Sequence, residues 1–293
     1  MSAQPILVSV IIAVQNEGID LQTTLESMKV SQVSFQYEVI IVDEGSVDGC
    51  CDFLMNFKFD KPLRKLKGQS GVSSRQLGAS YALGSYIIFC SPRLYFEDGW
   101  MEALLEPIQQ GKADCSTPCF TAQGRLENLS RCELQGDGLL ASIYNFPSVT
   151  EQGEIPWLSS DCFAVSAQTL KELGGIESGF YTKEIETAEF SLRAWLLGRV
   201  CYFVPQICLT LVFRHNYPPD SRAAYWGYDM ITLACMHFTR EVSNRIRNIV
   251  LESEREHAAV NLIREDITEA REKYLEQRKY GEEWFANRFG IQL

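Results

Sequence analysis

The run YEVIIVD, residues 37–43, ends in the carboxylate of Asp43, and Glu44 follows directly. A carboxylate at the C-terminal end of a central strand can accept the imide N–H of a uracil ring while its neighbour holds ribose hydroxyls, and that edge is where open α/β sheets bind ligands. The competing role for Asp43 is a cap on a helix starting near Ser46. Two other apolar runs end in polar residues: ILVSVIIAV, residues 6–14, leads through Gln15 into Asn16 and Glu17, and SYIIFC, residues 85–90, leads into Ser91, Pro92 and Arg93. A guanidinium is planar, always charged and able to grip phosphate oxygens in pairs, and a preceding proline stiffens the loop that presents it. Arg93 has a second option, to point into solvent or pair with Glu97 or Asp98. Lys61, Arg64, Lys65 and Lys67 crowd into KPLRKLKG, where they either face a phosphate or protect a sheet edge. Glu186, Glu189 and Arg193 recur at helical spacing, which pairs Glu189 with Arg193 across one turn.

Positioning these residues requires a sheet whose strands all end on one side. ILVSVIIAV and YEVIIVD are continuous apolar runs separated by a helical stretch, DLQTTLESMKV, and so predict a βαβ unit with a buried parallel sheet. GSVDGCCDFLMNF predicts a second helix, PLRKLK a short third strand, VSSRQLGASYALG a third helix and SYIIFC a return to the sheet. This alternation over the first hundred residues argues for a doubly wound α/β half. Residues 113–165 read as short strands and turns around a Gly-, Asn- and Gln-rich irregular middle. IETAEFSLRAWLLG predicts a helix ending at Gly198, and RVCYFVPQICLTLVFRH predicts two strand-like pieces. The expected organisation is one domain over residues 1–217, with halves 1–110 and 111–217, and a charged helical extension over 218–293, through which a homo-oligomer could form.

The chain has 293 residues, 46% of them apolar, enough for a sizeable core. Its formal net charge of -11 argues against nucleic acid or anionic lipid as a partner. No run approaches the roughly 18 apolar residues of a membrane span, and the opening residues read as a strand rather than a leader, so the expected location is cytoplasmic. The ten cysteines are expected as reduced, mostly core thiols. CC at 50 and 51 and CSTPC at 115–119 lack a matching second pair, and three histidines add little, so no zinc site is expected. Asn128-Leu129-Ser130 matches a glycosylation sequon by letters only.

Taken in order, these stretches resemble the family 2 glycosyltransferases of the GT-A fold over residues 7 to about 215. VSVIIAVQNE stands where that family has a strand ending in Asn-Glu, VIIVDEGSVDG resembles its second strand with an acidic pair, and SSRQLGASYALGSYIIF resembles its Ala-Arg-Asn helix and next strand. DGWMEALLEPI and LGGIESGF complete the set. Within the superfamily, EFSLRAW, Val204-Pro205 and Phe213-Arg214 are most similar to the polypeptide N-acetylgalactosaminyltransferase type, while EEWFANRFGIQL resembles the tails of bacterial members.

The resemblance implies a transferase acting on a nucleotide-diphosphate sugar, most simply a UDP-sugar, and an acceptor it does not identify. It assigns Val14, Asn16, Glu17, Asp43, Glu44, Arg75 and Ser91 to the nucleotide, with Arg75 near the diphosphate. Trp157 and Asp161 are candidates for the acceptor pocket, although Asp161 equally suits a turn. In the resembled families, an Asp-x-Asp or Asp-x-His at the positions of Ser91 and Arg93, with a further histidine at that of Leu211, holds a divalent cation. Ser-Pro-Arg and Leu supply almost no ligands for a hard cation. The expectation is therefore no metal or other cofactor, with Arg93 taking over charge neutralisation. Glu186 aligns with the acidic start of the acceptor motif, and Thr187 replaces the Asp that serves inverting members as base, so either Glu186 acts as base or this helix does not assist proton transfer. The alternative is a catalytically inactive pseudo-glycosyltransferase that keeps the fold and acts as a binding or regulatory partner.

Overall fold

The structure is a computed structural model and describes residues 5–122, 139–144, 151–212, 225–252 and 267–293. The sequon, most of the irregular middle, Phe213-Arg214 and the expected boundary at 217 lie outside these residues. By packing, the chain falls into two compact units. The first comprises Met1–Leu129, Ser148–Ser178 and Val200–Phe213; the second comprises Ser130–Pro147, Gly179–Arg199 and Arg214–Leu293.

The first unit begins with β1 (Val8–Val14), α1 (Asp20–Val30) and β2 (Tyr37–Asp43). β1 is buried along its whole length and pairs in parallel with β2, Val14 opposite Asp43. α1 turns Leu21, Thr24, Leu25 and Met28 inward, the 3–4 spacing that lays one helical face on a sheet. β3 (Leu63–Lys67), α2 (Ser74–Ser80) and β4 (Tyr86–Cys90) follow, with β3 parallel to β2 and β4 parallel to β1. α2 lies close on the sheet because Gly78 has no side chain: a Cβ there would come within 2.5 Å of Ile11 Cγ2.

Two expectations need correction here. The second helix predicted over 45–57 reduces to one 3₁₀ turn, Asp52–Met55. Its intended start is a loop: Gly45 and Gly49 have φ of 86° and 73°, and Asp48 accepts from Gly18 N (2.7 Å) and Cys50 N (3.0 Å), so local side-chain bonds take the place of helical ones. The third helix is also shorter than predicted, covering Ser74–Ser80 with a Ser73 hydroxyl cap.

After β5 (Leu94–Tyr95) and α3 (Trp100–Gln109) come β6 (Cys115–Ala122), then in the second unit α4 (Leu139–Tyr144), and again in the first β7 (Gly153–Glu154), β8 (Cys162–Ser166) and α5 (Ala167–Glu172). α6 (Lys183–Leu196) belongs to the second unit and β9 (Cys201–Leu211) to the first. The sheet order is β3-β2-β1-β4-β8-β6-β9-β5, with β7 on β9; β8 runs antiparallel to β4 and β6, so an antiparallel strand joins two parallel sets. Residues 201–211 form one strand, where two pieces were predicted. The ladder is bulged there: β6 goes from pairing Pro118 with Val204 to pairing Cys119 with Cys208, beside two prolines, Pro118 and Pro205, that have no N–H to donate.

In the second unit, α6 is buried from Ile185 to Leu196. With it are α7 (Trp226–His237), α8 (Arg240–Glu252), α9 (Ile267–Gln277) and α10 (Glu282–Phe289). The predicted pairing of Glu189 with Arg193 is present at 2.8 Å and fully buried, and His237 Nε2 lies 2.9 Å from the same carboxylate. Burial raises the Glu189 pKa, but Arg193 and His237 outweigh it and hold the carboxyl down at about 2. Burial pushes His237 below its ordinary value, Glu189 opposing.

Candidate active site

Three strand ends meet at one edge of the first unit. Asp43 ends β2, and the ladder continues past it, because Glu44 N donates to Val14 O at 2.9 Å. Asn16, at φ 56°, crosses to the same loop: its N–H donates to Ser46 Oγ (3.0 Å) and its Oδ1 accepts from Val47 N (2.8 Å). Asp43 Oδ1 accepts from Ser46 N at 2.8 Å, and Lys65 Nζ lies 3.2 Å from Oδ2. Burial raises the Asp43 carboxyl, yet the bonds from Ser46 and Lys65 win and leave it below its ordinary value, ionised at neutral pH. The capping role weighed for Asp43 is thus real, although what it caps is a loop. Of the basic cluster, Lys65 turns to this carboxylate while Arg64 bonds Glu38 and Tyr81 O; β3 is an edge strand, as the edge-protecting reading of the cluster requires.

Ser91 follows β4 and is tied by its N–H to Asp161 O at 2.7 Å. Its Oγ is buried and has no hydrogen-bond partner among the described residues. Arg75, expected near the diphosphate, is only 5% exposed: its guanidinium donates to Ser160 O at 2.5 Å and lies over the Phe163 ring. Arg75, Ser91 and Asp161 therefore share one end of β4 and β8. Trp157 is 3% exposed and offers little ring surface to a ligand.

Arg93 pairs with neither Glu97 nor Asp98 in the bonds observed; Asp98 Oδ1 accepts from Gln32 N, and Arg93 Nε lies 3.8 Å from Glu17 Oε2. The loop carrying it is fixed on both sides. Leu94 N donates to Thr24 Oγ1 (3.1 Å), Phe96 N to Ser27 Oγ (2.8 Å), and Val212 N to Arg93 O (3.0 Å). Leu94 pairs with Leu211, so the three positions expected to lack cation ligands are neighbours in space. A buried hydroxyl, a guanidinium and an isobutyl group do not fit a divalent cation, and among the described residues no group of three or more His, Cys, Asp or Glu could hold one.

Glu186 lies on the first turn of α6 in the second unit and is buried. The start of that helix is set by a residue the sequence did not single out. Asp229 on α7 accepts from Thr182 N and Oγ1 at 2.7 Å each and from Tyr181 N at 3.0 Å. Burial pushes its carboxyl up to about 6; the bonds from Thr182 and Tyr181 pull down and the Glu186 charge pushes further up. Asp48 was likewise missed. Its signal was an Asp before Gly in GSVDG; that of Asp229 was a lone carboxylate in the apolar helix WGYDMITLACMH.

Carboxylates, a buried arginine and a loop cation thus stand at the C-terminal edge of an open, mostly parallel sheet, the edge at which such sheets bind ligands. Residues 9–173 match Glycosyl transferase family 2, more than half of the chain, and the chain belongs to that family. It is 28% identical over 215 residues to polypeptide N-acetylgalactosaminyltransferase 8 of Drosophila melanogaster, covering 68% of this chain and 36% of that protein. It is 27% identical over 216 residues to human polypeptide N-acetylgalactosaminyltransferase 12, covering 66% and 37%. The chain thus spans little more than a third of these curated relatives. Among solved structures, GalNAc-T7 with UDP, GalNAc and Mn²⁺ superposes with a TM-score of 0.75 at 18% identity, over 99% of this chain and 57% of that one. Residues 1–349 of S. aureus TarS with UDP-GlcNAc superpose at 0.57 and 14% identity, over 92% and 79%. These likenesses establish the fold.

Proposed function

We propose that the chain is a sugar transferase that takes a UDP-sugar as donor and meets the diphosphate with Arg93 in place of a bound divalent cation. The observation that carries this reading is the position of Arg93, fixed at the β4 end beside Glu17, Ser91 and Leu211 where the family's cation ligands would be. Transfer breaks the bond from the anomeric carbon to the β-phosphate oxygen, which departs as UDP with the electron pair, and joins that carbon to an acceptor hydroxyl oxygen. Negative charge grows on the leaving phosphate, and a preorganised cation stabilises it. Arg75 and Lys65 supplement Arg93, Asp43 and Glu44 take the uridine, Ser91 Oγ supplies an unused donor, and Glu186 is the carboxylate assigned to the acceptor proton. Because the solved relatives carry UDP with GalNAc or UDP-GlcNAc, UDP-N-acetylhexosamines are the first donors to test.

The test is release of UDP from UDP-GalNAc and UDP-GlcNAc, with water or added hydroxyl compounds as acceptor, in EDTA and in Mn²⁺. Turnover equal in both supports the proposal; turnover only with Mn²⁺ overturns it. A second reading, UDP binding without turnover, is favoured by Thr187, whose hydroxyl is engaged with Lys183 O at 2.8 Å and cannot replace a carboxylate base. UDP binding with no release under any condition would select it.

A further inference from the structure

All nine described cysteines are free, and six of them stand opposite one another across the sheet: Cys90 and Cys162, Cys115 and Cys201, Cys119 and Cys208. Partners in register on neighbouring strands have Cα atoms about 5 Å apart with side chains on one face. That separation falls within the roughly 4.4–6.8 Å that a disulfide spans. Geometry alone therefore permits three bridges, and the surroundings separate them.

Two of the pairs are sealed in the core. Cys90, Cys162, Cys115 and Cys201 are each 5% exposed or less, and burial pushes the Cys162 and Cys201 thiols well above their ordinary range, so neither supplies thiolate. The Cys119–Cys208 pair lies at the β6–β9 bulge, where Cys119 is buried and Cys208 partly exposed. Cys208 S–H donates to Cys119, which lowers the Cys119 pKa; burial opposes this, and the same bond raises that of Cys208. The shared hydrogen bond thus favours the thiolate at Cys119 over that at Cys208. Neighbouring hydroxyls on the same strands, Thr121 and Thr210, are 3.3 Å apart, so the side chains already meet across this part of the ladder.

We propose that Cys119 and Cys208 are a reversible thiol-oxidation site, in which Cys119 reacts with hydrogen peroxide and Cys208 resolves the product to a disulfide. The Cys119 thiolate attacks one peroxide oxygen, the O–O bond breaks, and the departing oxygen takes a proton and leaves as water, giving a sulfenic acid. Cys208 sulfur then attacks the sulfenic sulfur; the S–S bond forms, and the hydroxyl leaves with the Cys208 proton as a second water. Two thiols are oxidised and one peroxide is reduced. The bulge interrupts the regular pairing next to Cys119, and thiol reductant reverses the bond. This inference does not depend on the proposed transferase activity.

The experiment treats the folded full chain with equimolar hydrogen peroxide and maps peptides without reduction. The expected result is one cross-link, Cys119 to Cys208, forming at least ~10 times faster than any other and removed by dithiothreitol. In Cys208→Ser, dimedone should trap a sulfenic acid on Cys119; in Cys119→Ser, both cross-link and adduct should be lost. A first cross-link at Cys90–Cys162 or Cys115–Cys201, no cross-link in the wild type, or wild-type dimedone labelling in Cys119→Ser would overturn the assignment. The wild-type map decides even if a variant folds poorly.

Discussion

Glu17 Oε2 and Arg93 Nε lie 3.8 Å apart, joining the ends of β1 and β4. Glu17 is buried and Arg93 partly so, and the carboxylate keeps the guanidinium charge at these strand ends. Arg93→Ala is expected to weaken UDP binding about 10- to 100-fold and uridine binding hardly at all, since uridine has no phosphate. Arg93→Lys should recover only part, because an ammonium cannot grip two oxygens in a plane. Calorimetric titration with both ligands checks this, and an equal loss for uridine would place Arg93 elsewhere.

Asp43 is held by Ser46 and Lys65 and stays ionised at neutral pH. Asp43→Ala should lower UDP affinity about tenfold or more, with uridine affected equally, the loss of a charged hydrogen-bond acceptor. If Asp43 only fixes its loop, the variant will melt earlier while the folded fraction binds UDP as before.

Glu186→Gln should lower turnover by about 10² to 10⁴ with UDP affinity unchanged, the range for losing a general base. Unchanged turnover would remove Glu186 from proton transfer.

Two buried carboxylates give opposite pH dependences. Glu189, lowered from 4.5 to about 2, contributes stability that is present above its ordinary pKa and lost as pH falls through that window. Asp229, raised from 3.8 to about 6, contributes stability that is present below its ordinary pKa and lost as pH rises toward 6. Urea midpoints should therefore fall with rising pH between about 4 and 6 in the wild type more than in Asp229→Asn. Glu189→Gln should flatten the acid limb and cost about 3 kcal/mol at neutral pH, because Arg193 and His237 lose their shared partner.

The strands carrying the site were legible because β1, β2 and β4 are buried on both faces and read as unbroken apolar runs. Glu189 with Arg193 was legible because the pair is local. What the sequence hid was long-range: Arg75 is buried by Ser160, 85 residues away, and Asp229 fixes the start of α6 from 47 residues away at Thr182. The 45–57 loop defeated the helix reading because Asp48 bonds Gly18, a contact invisible until β1 and β2 pair. The partner of Arg93 was sought nearby at 97 and 98; the partner seen is Glu17, at the end of another strand.

The most direct test of the central claim is calorimetric titration of UDP into wild-type chain in EDTA, repeated in Mn²⁺, and then with Arg93→Ala in both. Arg93 in the role of the cation predicts equal wild-type affinity in the two buffers and weakened binding in the variant that Mn²⁺ does not restore. Wild-type binding lost in EDTA, or variant binding rescued by Mn²⁺, would contradict it.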